Sequence, residues 1–282
     1  IQKIEEGWSH DLKYFLQDKE ENKYLLRVSK LGDFIEQASL YQSFQNLPTH
    51  PDLLPSLISQ GQFSSYTYRL FSWLEGLPAL EKIEQFAPKK QYSLGLQAGQ
   101  LLKVIHTASI SEKNLDHWLA FYQNKIDRKI ELYANCSLKY KKGEAILDFI
   151  KNTRHLLTDH KQCFLHGDYH IGNMLITPNE KIAIIDFNRL EYGDPWSEFN
   201  RINWTAQASP AMAKGQIDAY FDHDVPDEFH LSVALFIAVN QIGALPWAMN
   251  YSQKDVDTII KQTEEILVWY DDFQGIIPSW YA

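Results

Sequence analysis

The stretch Phe164–Leu175, "FLHGDYHIGNML", carries two histidines, an aspartate and an asparagine between apolar ends. A short, almost wholly apolar segment, Lys181–Phe187 or "KIAIIDF", follows it and brings Asp186 to the end of a predicted strand. Carboxylates beside apolar chain are costly to remove from water unless they are paired, hydrogen-bonded or bound to metal. The sequence therefore predicts a polar site where Asp168 and Asp186, with Asn173 between them, find partners.

The chemistry of these three groups indicates phosphoryl transfer. The oxygens of Asn173 and Asp186 suit Mg²⁺, which binds few protein oxygens and keeps places for phosphate and water. The remaining carboxylate, Asp168, can accept a hydrogen bond from a substrate hydroxyl. Phosphoryl transfer requires an aligned hydroxyl, a neutralised phosphate charge and the exclusion of water.

A zinc hydrolase is a second interpretation of the same loop, because His166, Asp168 and His170 stand at alternate positions. Such a site needs a further His or Cys ligand. The nearest candidates, His155 and His160, lie on a stretch that the sequence predicts to be helical. A hydrogen-bonded loop without catalytic function is the third interpretation.

The chain before Pro78 is predicted to be mainly β-structure. Leu12–Gln17 and Lys23–Ser29 flank a polar turn and predict a hairpin. Asp33 and Glu36 have capping-box spacing, so a helix is expected to begin there. Gln62–Leu74 predicts one or two further strands.

The chain after Pro78 is predicted to be mainly helical. Amphipathic patterns predict helices in Gln91–Ser109, Asp116–Cys136 and Gly143–His160. Phe229–Asn250 has no charged residue and is long enough to span a bilayer, but its polar residues favour a buried core helix, which Gly243 and Pro246 are expected to break early. The predicted fold class is α+β, with a β-rich N-terminal lobe over residues 1–74 and a helical lobe over residues 75–282.

Composition narrows the class of protein. The 282 residues carry a net charge of −9 without a long Lys/Arg run, which disfavours a nucleic-acid binder and favours a small-molecule partner, with a slight preference for a cationic one. The 13% share of aromatic residues indicates an ample core or a cleft lined with rings. Cys136 and Cys163 lie outside CxxC spacing, and the first residues lack the features of a signal peptide. We therefore expect a cytoplasmic protein without a membrane partner, as a monomer or a dimer.

The paired motifs "HGDYHIGNML" and "IAIIDFNR" resemble the signature of the aminoglycoside phosphotransferase family, which has a protein-kinase-like fold and includes macrolide and choline kinases. The two-lobe order fits as well, so the resemblance covers nearly the whole chain. It implies that Asp168 is the catalytic aspartate and that Asn173 and Asp186 are metal ligands. His166 and His170 are expected to brace the loop.

The resemblance also implies a nucleotide site in the N-terminal lobe. Arg27 falls where the family usually has a phosphate-binding lysine, and Glu36 is expected to be its helix partner. The loop Gly7–Asp11 is expected to cover the nucleotide phosphates. Phe71–Gly76 resembles the hinge that holds the base, with the nucleotide-binding residues Ser72, Trp73 and Leu74.

The expected function is transfer of the γ-phosphate of ATP or GTP, with Mg²⁺, to a hydroxyl of an antibiotic or a related amine- or sugar-bearing molecule, which implies a role in antibiotic resistance. A cationic acceptor would be held by carboxylates of Ile217–Glu228, although that acidic stretch also fits a solvated loop. The alternatives are a choline-, homoserine- or fructosamine-type metabolite kinase and an idle nucleotide-binding scaffold in which Arg27 replaces a working lysine. Two further departures from the family pattern are Asn188 and Glu198.

Overall fold

The computed structural model describes residues 1–5, 11–30, 38–48, 50, 52–108 and 118–282. Its N-terminal part is an antiparallel sheet with the strand order β1-β2-β3-β5-β4. The strands are β1 (Gln2–Ile4), β2 (Leu12–Gln17), β3 (Lys23–Lys30), β4 (Leu57–Phe63) and β5 (Tyr66–Ser72).

The β2–β3 hairpin is confirmed, with Leu12 opposite Val28 and Gln17 opposite Lys23. Its turn is held by the Asp18 carboxylate, which accepts hydrogen bonds from the backbone N–H groups of Glu20 and Asn22. Such a side chain reproduces a backbone turn, and this explains why the polar segment between the strands reverses the chain.

A helix, α1 (Ala38–Gln45), packs against this sheet and links it to the second motif. The Tyr41 hydroxyl donates to the carbonyl of Phe187 at 2.8 Å, and the ring of Phe44 lies 4.9 Å from that of Phe187. The predicted helix start, with Asp33 and Glu36, lies outside the described residues, as does most of the Gly7–Asp11 loop.

The second part of the chain is mainly helical. The α-helices of its described residues are α2 (Ala79–Lys82), α3 (Pro88–His106), α4 (Trp118–Ala134), α5 (Gly143–Thr153), α6 (Ile202–Ala208), α7 (Pro210–Tyr220), α8 (Asp227–Ala248) and α9 (Gln253–Trp269). Short 3₁₀ turns occur at Ile83–Gln85, Arg154–Leu156, Ile171–Asn173 and Pro195–Arg201. His160, predicted to be helical, lies after the last helical turn of this region rather than on it.

Two small antiparallel sheets carry the polar loop. One pairs β7 (Cys163–Leu165) with β10 (Glu191–Gly193), and the other has the order β6-β8-β9. The strands of the second sheet are β6 (Leu77–Pro78), β8 (Met174–Ile176) and β9 (Ile182–Ile184). The β-rich N-terminal part and helical C-terminal part confirm the predicted α+β fold class.

The apolar segment after Phe229 forms α8, which has many fully buried side chains, among them Phe236, Ile237 and Ile242. Among the described residues, α8 is the one helix that is long and apolar enough to cross a membrane, judged by length and composition alone. However, 67% of its most apolar window is buried within the protein, as in the core helix of a globular fold. The predicted early break is wrong, because the helix continues through Gly243 and Pro246 to Ala248. A proline near the last turn removes one backbone N–H, and packing on both sides holds the helix in spite of that loss.

Candidate active site

The polar loop begins at Gly167, where the backbone takes a conformation that only glycine adopts without strain. Gly167 has φ +78°, and a Cβ there would lie 1.8 Å from the carbonyl oxygen of Arg189. The loop therefore passes directly against the chain after Asp186. This close approach brings the two predicted motifs together.

A buried carboxylate holds the start of the loop. Glu198 accepts hydrogen bonds from the backbone N–H groups of His166 at 2.7 Å and Gly167 at 2.9 Å. It is almost fully buried, on the 3₁₀ turn Pro195–Arg201 that the Asp194 side chain caps. Glu198 was notable in the sequence only as a departure from the family pattern, and its part in holding the loop was missed.

Removal of the Glu198 carboxylate should disorder this loop. Glu198→Ala leaves two buried N–H groups without an acceptor, at ~1–3 kcal/mol each, so we expect a lower Tm and a large loss of activity. Glu198→Gln keeps one acceptor oxygen and should lose less of both. Thermal unfolding and turnover of the two variants check this expectation, and equal behaviour of both would contradict it.

His166 uses both ring nitrogens inside the protein. Its Nε2 donates to the carbonyl of Ile185 at 2.9 Å, and its Nδ1 accepts from the backbone N–H of Asp168 at 3.2 Å. His160, a second candidate zinc ligand, has its Nδ1 2.6 Å from Asp194. The described residues contain no group of three His, Cys, Asp or Glu side chains that could hold a metal, so the zinc-hydrolase interpretation has no support.

Asn173 and Asp186 become neighbours through strand register. Met174 pairs with Ile184 across β8 and β9, and the Ile185 N–H donates to the carbonyl of Asn173 at 3.0 Å. The Asn173 side-chain N–H₂ donates to the Asp168 carbonyl at 2.8 Å. Since its amide nitrogen is used in that bond, the Asn173 Oδ1 is left as an acceptor.

Asp186 has φ +67°, in the left-handed region, which few residues with a side chain adopt and which aspartate adopts more readily than most. Its Oδ1 accepts from Arg27 Nη1 at 2.5 Å, while Arg27 Nη2 bonds Asp11 at 2.8 Å. Arg27 is only 5% exposed, so it is not a surface strand charge. The predicted partner Glu36 lies outside the described residues, and the partners that the structure gives are carboxylates the sequence did not pair with Arg27.

The oxygens at this point fit Mg²⁺. Asn173 Oδ1 and the second oxygen of Asp186 are hard donors from a loop and a strand end, and a magnesium site needs only one or two protein oxygens beside phosphate and water. Burial opposes the charge of Arg27, but Asp186 and Asp11 outweigh it and raise the pKa of the guanidinium. Arg27 is therefore a permanent cation beside the predicted metal ligands.

Asp168 is buried and surrounded by basic groups. Its Oδ1 lies 2.7 Å from Arg201 Nη1 and 3.5 Å from His170 Nε2, and its Oδ2 lies 3.7 Å from Arg189 Nε. Burial raises the pKa of Asp168, but the hydrogen bond from His170 and the charges of Arg201 and Arg189 lower it well below the ordinary range. The carboxylate is therefore ionised at neutral pH. Arg201 has no distinguishing pattern in the sequence, because only the fold brings it close to Asp168.

His170 accepts from the backbone N–H of Gly172 through Nδ1, which caps the turn Ile171–Asn173. Burial lowers the pKa of His170 more than the Asp168 carboxylate raises it. Its ring also lies 5.8 Å from the half-exposed ring of Trp204. His170 is thus a largely neutral side chain between the loop and α6.

The three predicted hinge residues differ in whether their backbone N–H groups already donate a hydrogen bond within the protein. The N–H of Ser72 donates to Ser56 and that of Trp73 to Lys23, so both are used within the sheet. Leu74 is buried, and its N–H makes no hydrogen bond to any residue that the structure describes. Of the three predicted nucleotide-binding residues, Leu74 is the one with a backbone donor still available.

Comparison with known proteins agrees with this arrangement. A sequence model described as "Phosphotransferase enzyme family" matches residues 1–229. No curated protein matches the chain by sequence comparison.

Solved structures with the same fold include aminoglycoside phosphotransferases. A thermostable mutant of APH(4)-Ia in a ternary complex with AMP-PNP and hygromycin B has a TM-score of 0.70 at 16% identity, covering 97% of this chain and 94% of that one. ADP-bound APH(2'')-Ib has a TM-score of 0.64 at 17% identity, covering 94% and 93%. Spectinomycin phosphotransferase APH(9)-Ia with ADP and spectinomycin has a TM-score of 0.64 at 13% identity, covering 94% and 88%.

At these identities the likeness shows the fold alone, whereas the family match spans most of the chain. The chain belongs to the phosphotransferase enzyme family and is a small-molecule kinase with an alcohol group as acceptor.

Proposed function

We propose that the enzyme transfers the γ-phosphate of ATP or GTP, with Mg²⁺, to a hydroxyl of a small polar molecule, and that Asp168 orients that hydroxyl. The proposal depends mainly on one observation: residues of both motifs and of the N-terminal sheet lie in contact with one another. Arg27 lies 2.5 Å from Asp186, and Asn173 donates to the Asp168 backbone at 2.8 Å.

Asp168 acts on the acceptor. The hydroxyl donates a hydrogen bond to the carboxylate, its oxygen attacks the γ-phosphorus, and the bond to the β,γ-bridging oxygen breaks. A carboxylate with a lowered pKa is a weak base, but in a loose transition state the attacking hydroxyl loses its proton late. Orientation is therefore the main contribution of Asp168, and the proton passes to it as the new P–O bond forms.

Arg27, Asn173 and Asp186 act on the nucleotide. Asn173 and Asp186 would hold Mg²⁺, which neutralises the phosphate charge when bound. Arg27 is planar and always charged, so it can bind a phosphate oxygen while it keeps a carboxylate partner. The Leu74 N–H supplies a donor for the base. The AMP-PNP and ADP in the solved neighbours support a nucleotide co-substrate.

The second part of the proposal is the chemical class of the acceptor. Hygromycin B and spectinomycin in the solved neighbours support an aminoglycoside-like antibiotic or a related amine- or sugar-bearing molecule. Two carboxylates of the acidic stretch, however, are already engaged: Asp218 accepts from the hydroxyl groups of Tyr92 and Tyr281, and Asp222 pairs with Lys103. A choline-, homoserine- or fructosamine-type acceptor is the alternative. With either class of acceptor, the enzyme would use the nucleotide and Mg²⁺ of the cytoplasm.

The proposal is tested by nucleotide consumption across antibiotics and small alcohols, with the phosphorylated product confirmed by mass. Activity should vanish with a chelator and return with Mg²⁺ or Mn²⁺, because the donors are oxygens. Zn²⁺-dependent hydrolysis without nucleotide would contradict the proposal. An idle scaffold would bind nucleotide but turn over no acceptor.

A further inference from the structure

One short segment, from the 3₁₀ turn before α6 into α6 itself, contacts the polar loop at several positions. Glu198 accepts from the backbone N–H groups at the start of the loop, and Thr205 accepts through Oγ1 from the N–H of Ile171 at 3.1 Å. Arg201 lies three positions after Glu198 and four before Thr205, a spacing at which helical side chains are neighbours. The segment that holds the loop backbone therefore also places Arg201 against the side chain of Asp168.

The two carboxylate oxygens of Asp168 have different surroundings. Oδ1 lies 2.7 Å from Arg201 Nη1 and exposes almost no surface, and no hydrogen bond from the described residues ends on it. The Asp168 side chain is 11% exposed, so this exposure lies on its other atoms. Oδ2 is 3.7 Å from the Nε of Arg189, whose side chain is exposed. Oδ1 is thus held inside the protein, while Oδ2 is on the open side.

The position of Oδ1 depends on the charge of Arg201. An ionised oxygen that is shielded from water must be compensated by a nearby charge or by hydrogen bonds. His170 is the other basic group near Oδ1, at 3.5 Å, but burial lowers its pKa and leaves it largely neutral. Without Arg201, the carboxylate would gain by turning Oδ1 toward water, and that rotation would move Oδ2 as well.

We propose that Arg201 is a positioning residue, which holds Oδ1 of Asp168 toward the start of α6 so that Oδ2 faces the acceptor hydroxyl. The inference rests on the proposed function, since it concerns the same carboxylate. Arg201 keeps its contact throughout the transfer, whereas Arg189, which is more distant and exposed, gives way to the acceptor. The fixed carboxylate matters because a misplacement of ~1 Å can cost about 10²-fold in rate.

Two substitutions of Arg201 separate its charge from its bulk. Arg201→Met keeps an unbranched apolar stem and should lower kcat by about 10²-fold. The KM for the nucleotide and the AMP-PNP-induced shift in Tm should stay near the wild type, because the nucleotide would be bound by Arg27 and the metal ligands. Arg201→Lys should recover part of the rate, since an ammonium group restores the charge but not the planar geometry.

Arg154→Met is the matched control. The Arg154 side chain is 25% exposed, against 23% for Arg201, and it also forms a close ion pair, with Asp127 of α4 at 2.5 Å. This pair is not part of the site, so its loss should leave kcat unchanged even if Tm falls. An equal loss of kcat in Arg154→Met and Arg201→Met would show general destabilisation and would overturn the proposal.

The decisive experiment is a double-mutant cycle on the rate of phosphoryl transfer in a single turnover. The four proteins are the full-length wild type, Arg201→Met, Asp168→Asn and the double variant. If Arg201 acts through Asp168, Arg201→Met should cost at least ~10-fold less in the Asp168→Asn background than in the wild type. Equal costs in the two backgrounds would mean that Arg201 acts on something other than Asp168, contrary to the proposal. If Arg201→Met does not fold, the same cycle is made with Arg201→Lys.

The outcomes separate this inference from the proposed function. A wild type that transfers phosphate while Arg201→Met keeps its full rate refutes the inference alone. A chain whose Tm rises with AMP-PNP but that transfers phosphate neither to an acceptor nor to water refutes the proposed function, and the inference with it. The expected result is a working wild type, a slow Arg201→Met with an intact AMP-PNP shift, and a non-additive double variant.

Discussion

Asp168→Asn should lower kcat by about 10²–10⁴-fold while nucleotide binding and the fold remain. Asparagine has nearly the same shape, but its amide cannot take the proton of the acceptor hydroxyl. The removed negative charge also leaves Arg201 and Arg189 beside a neutral group, which increases the positive potential that the acceptor meets. Steady-state kinetics with a confirmed acceptor, together with the AMP-PNP-induced shift in Tm, measure the two effects separately.

A matched control is His170→Gln, which keeps a polar group near Asp168 but removes the ring. We expect a smaller loss of kcat for it, because His170 is largely neutral and caps a turn rather than meeting the acceptor. Near-full activity of Asp168→Asn would show that the loop is not catalytic.

The pH profile adds a second check on Asp168. Because its folded-state pKa is below the ordinary value, ionised Asp168 stabilises the folded protein at any pH above its ordinary pKa, and that contribution is lost only as pH falls through the lowered value. The rate should therefore show no loss assignable to Asp168 between pH ~8 and ~5. A limb near neutral pH that disappears in Asp168→Asn would contradict the lowered pKa.

Arg27→Ala should cut kcat/KM for the nucleotide by about 10²-fold or more, because a phosphate-binding cation is lost next to the metal ligands. It should also destabilise the protein by ~2 kcal/mol, less than the ~3–5 kcal/mol for a fully buried pair, since Asp186 and Asp11 keep some contact with water. Arg27→Lys should recover much of the rate, as the charge returns, but not the two-sided contact with both carboxylates.

Lys30→Ala is the control for Arg27. It lies on the same strand at an odd offset, so its side chain points to the opposite face, and it is exposed. Its kinetics and Tm should match the wild type. If Arg27→Ala, Arg27→Lys and the wild type turned over at equal rates, Arg27 would have no part in phosphate binding and the idle-scaffold alternative would gain support.

Local pattern was sufficient to predict several elements of the fold. The hairpin of Leu12–Gln17 with its partner strand, the amphipathic helices and the apolar strand before Asp186 each have a period and a boundary that a short window contains. The same limit explains the error at Pro246. A window of residues shows that proline weakens a helix, but not that neighbouring helices hold it in place.

The proximity of Asp168, Asn173 and Asp186 could likewise be predicted from the sequence, because the loop and the strand that carry them are close together in the chain. Their roles stay predictions, as do the two lobe boundaries. The partners of Arg27 could not be predicted, because Asp186 is 159 positions away from it. Nothing in either local segment marks that pairing.

The sequence by itself determined the family, the α+β class and the chemical kind of the site, since these depend on residue types at short spacing and on periodic apolar patterns. The tertiary structure decided which charges surround Asp168. A net charge of −9 favoured a cationic acceptor, yet the fold brings Arg189 and Arg201 beside this one carboxylate and pairs other acids, such as Asp222, with cations elsewhere. Electrostatic energy falls with distance and with water between the charges, so the few groups that folding brings within a few ångströms outweigh the sum over the chain.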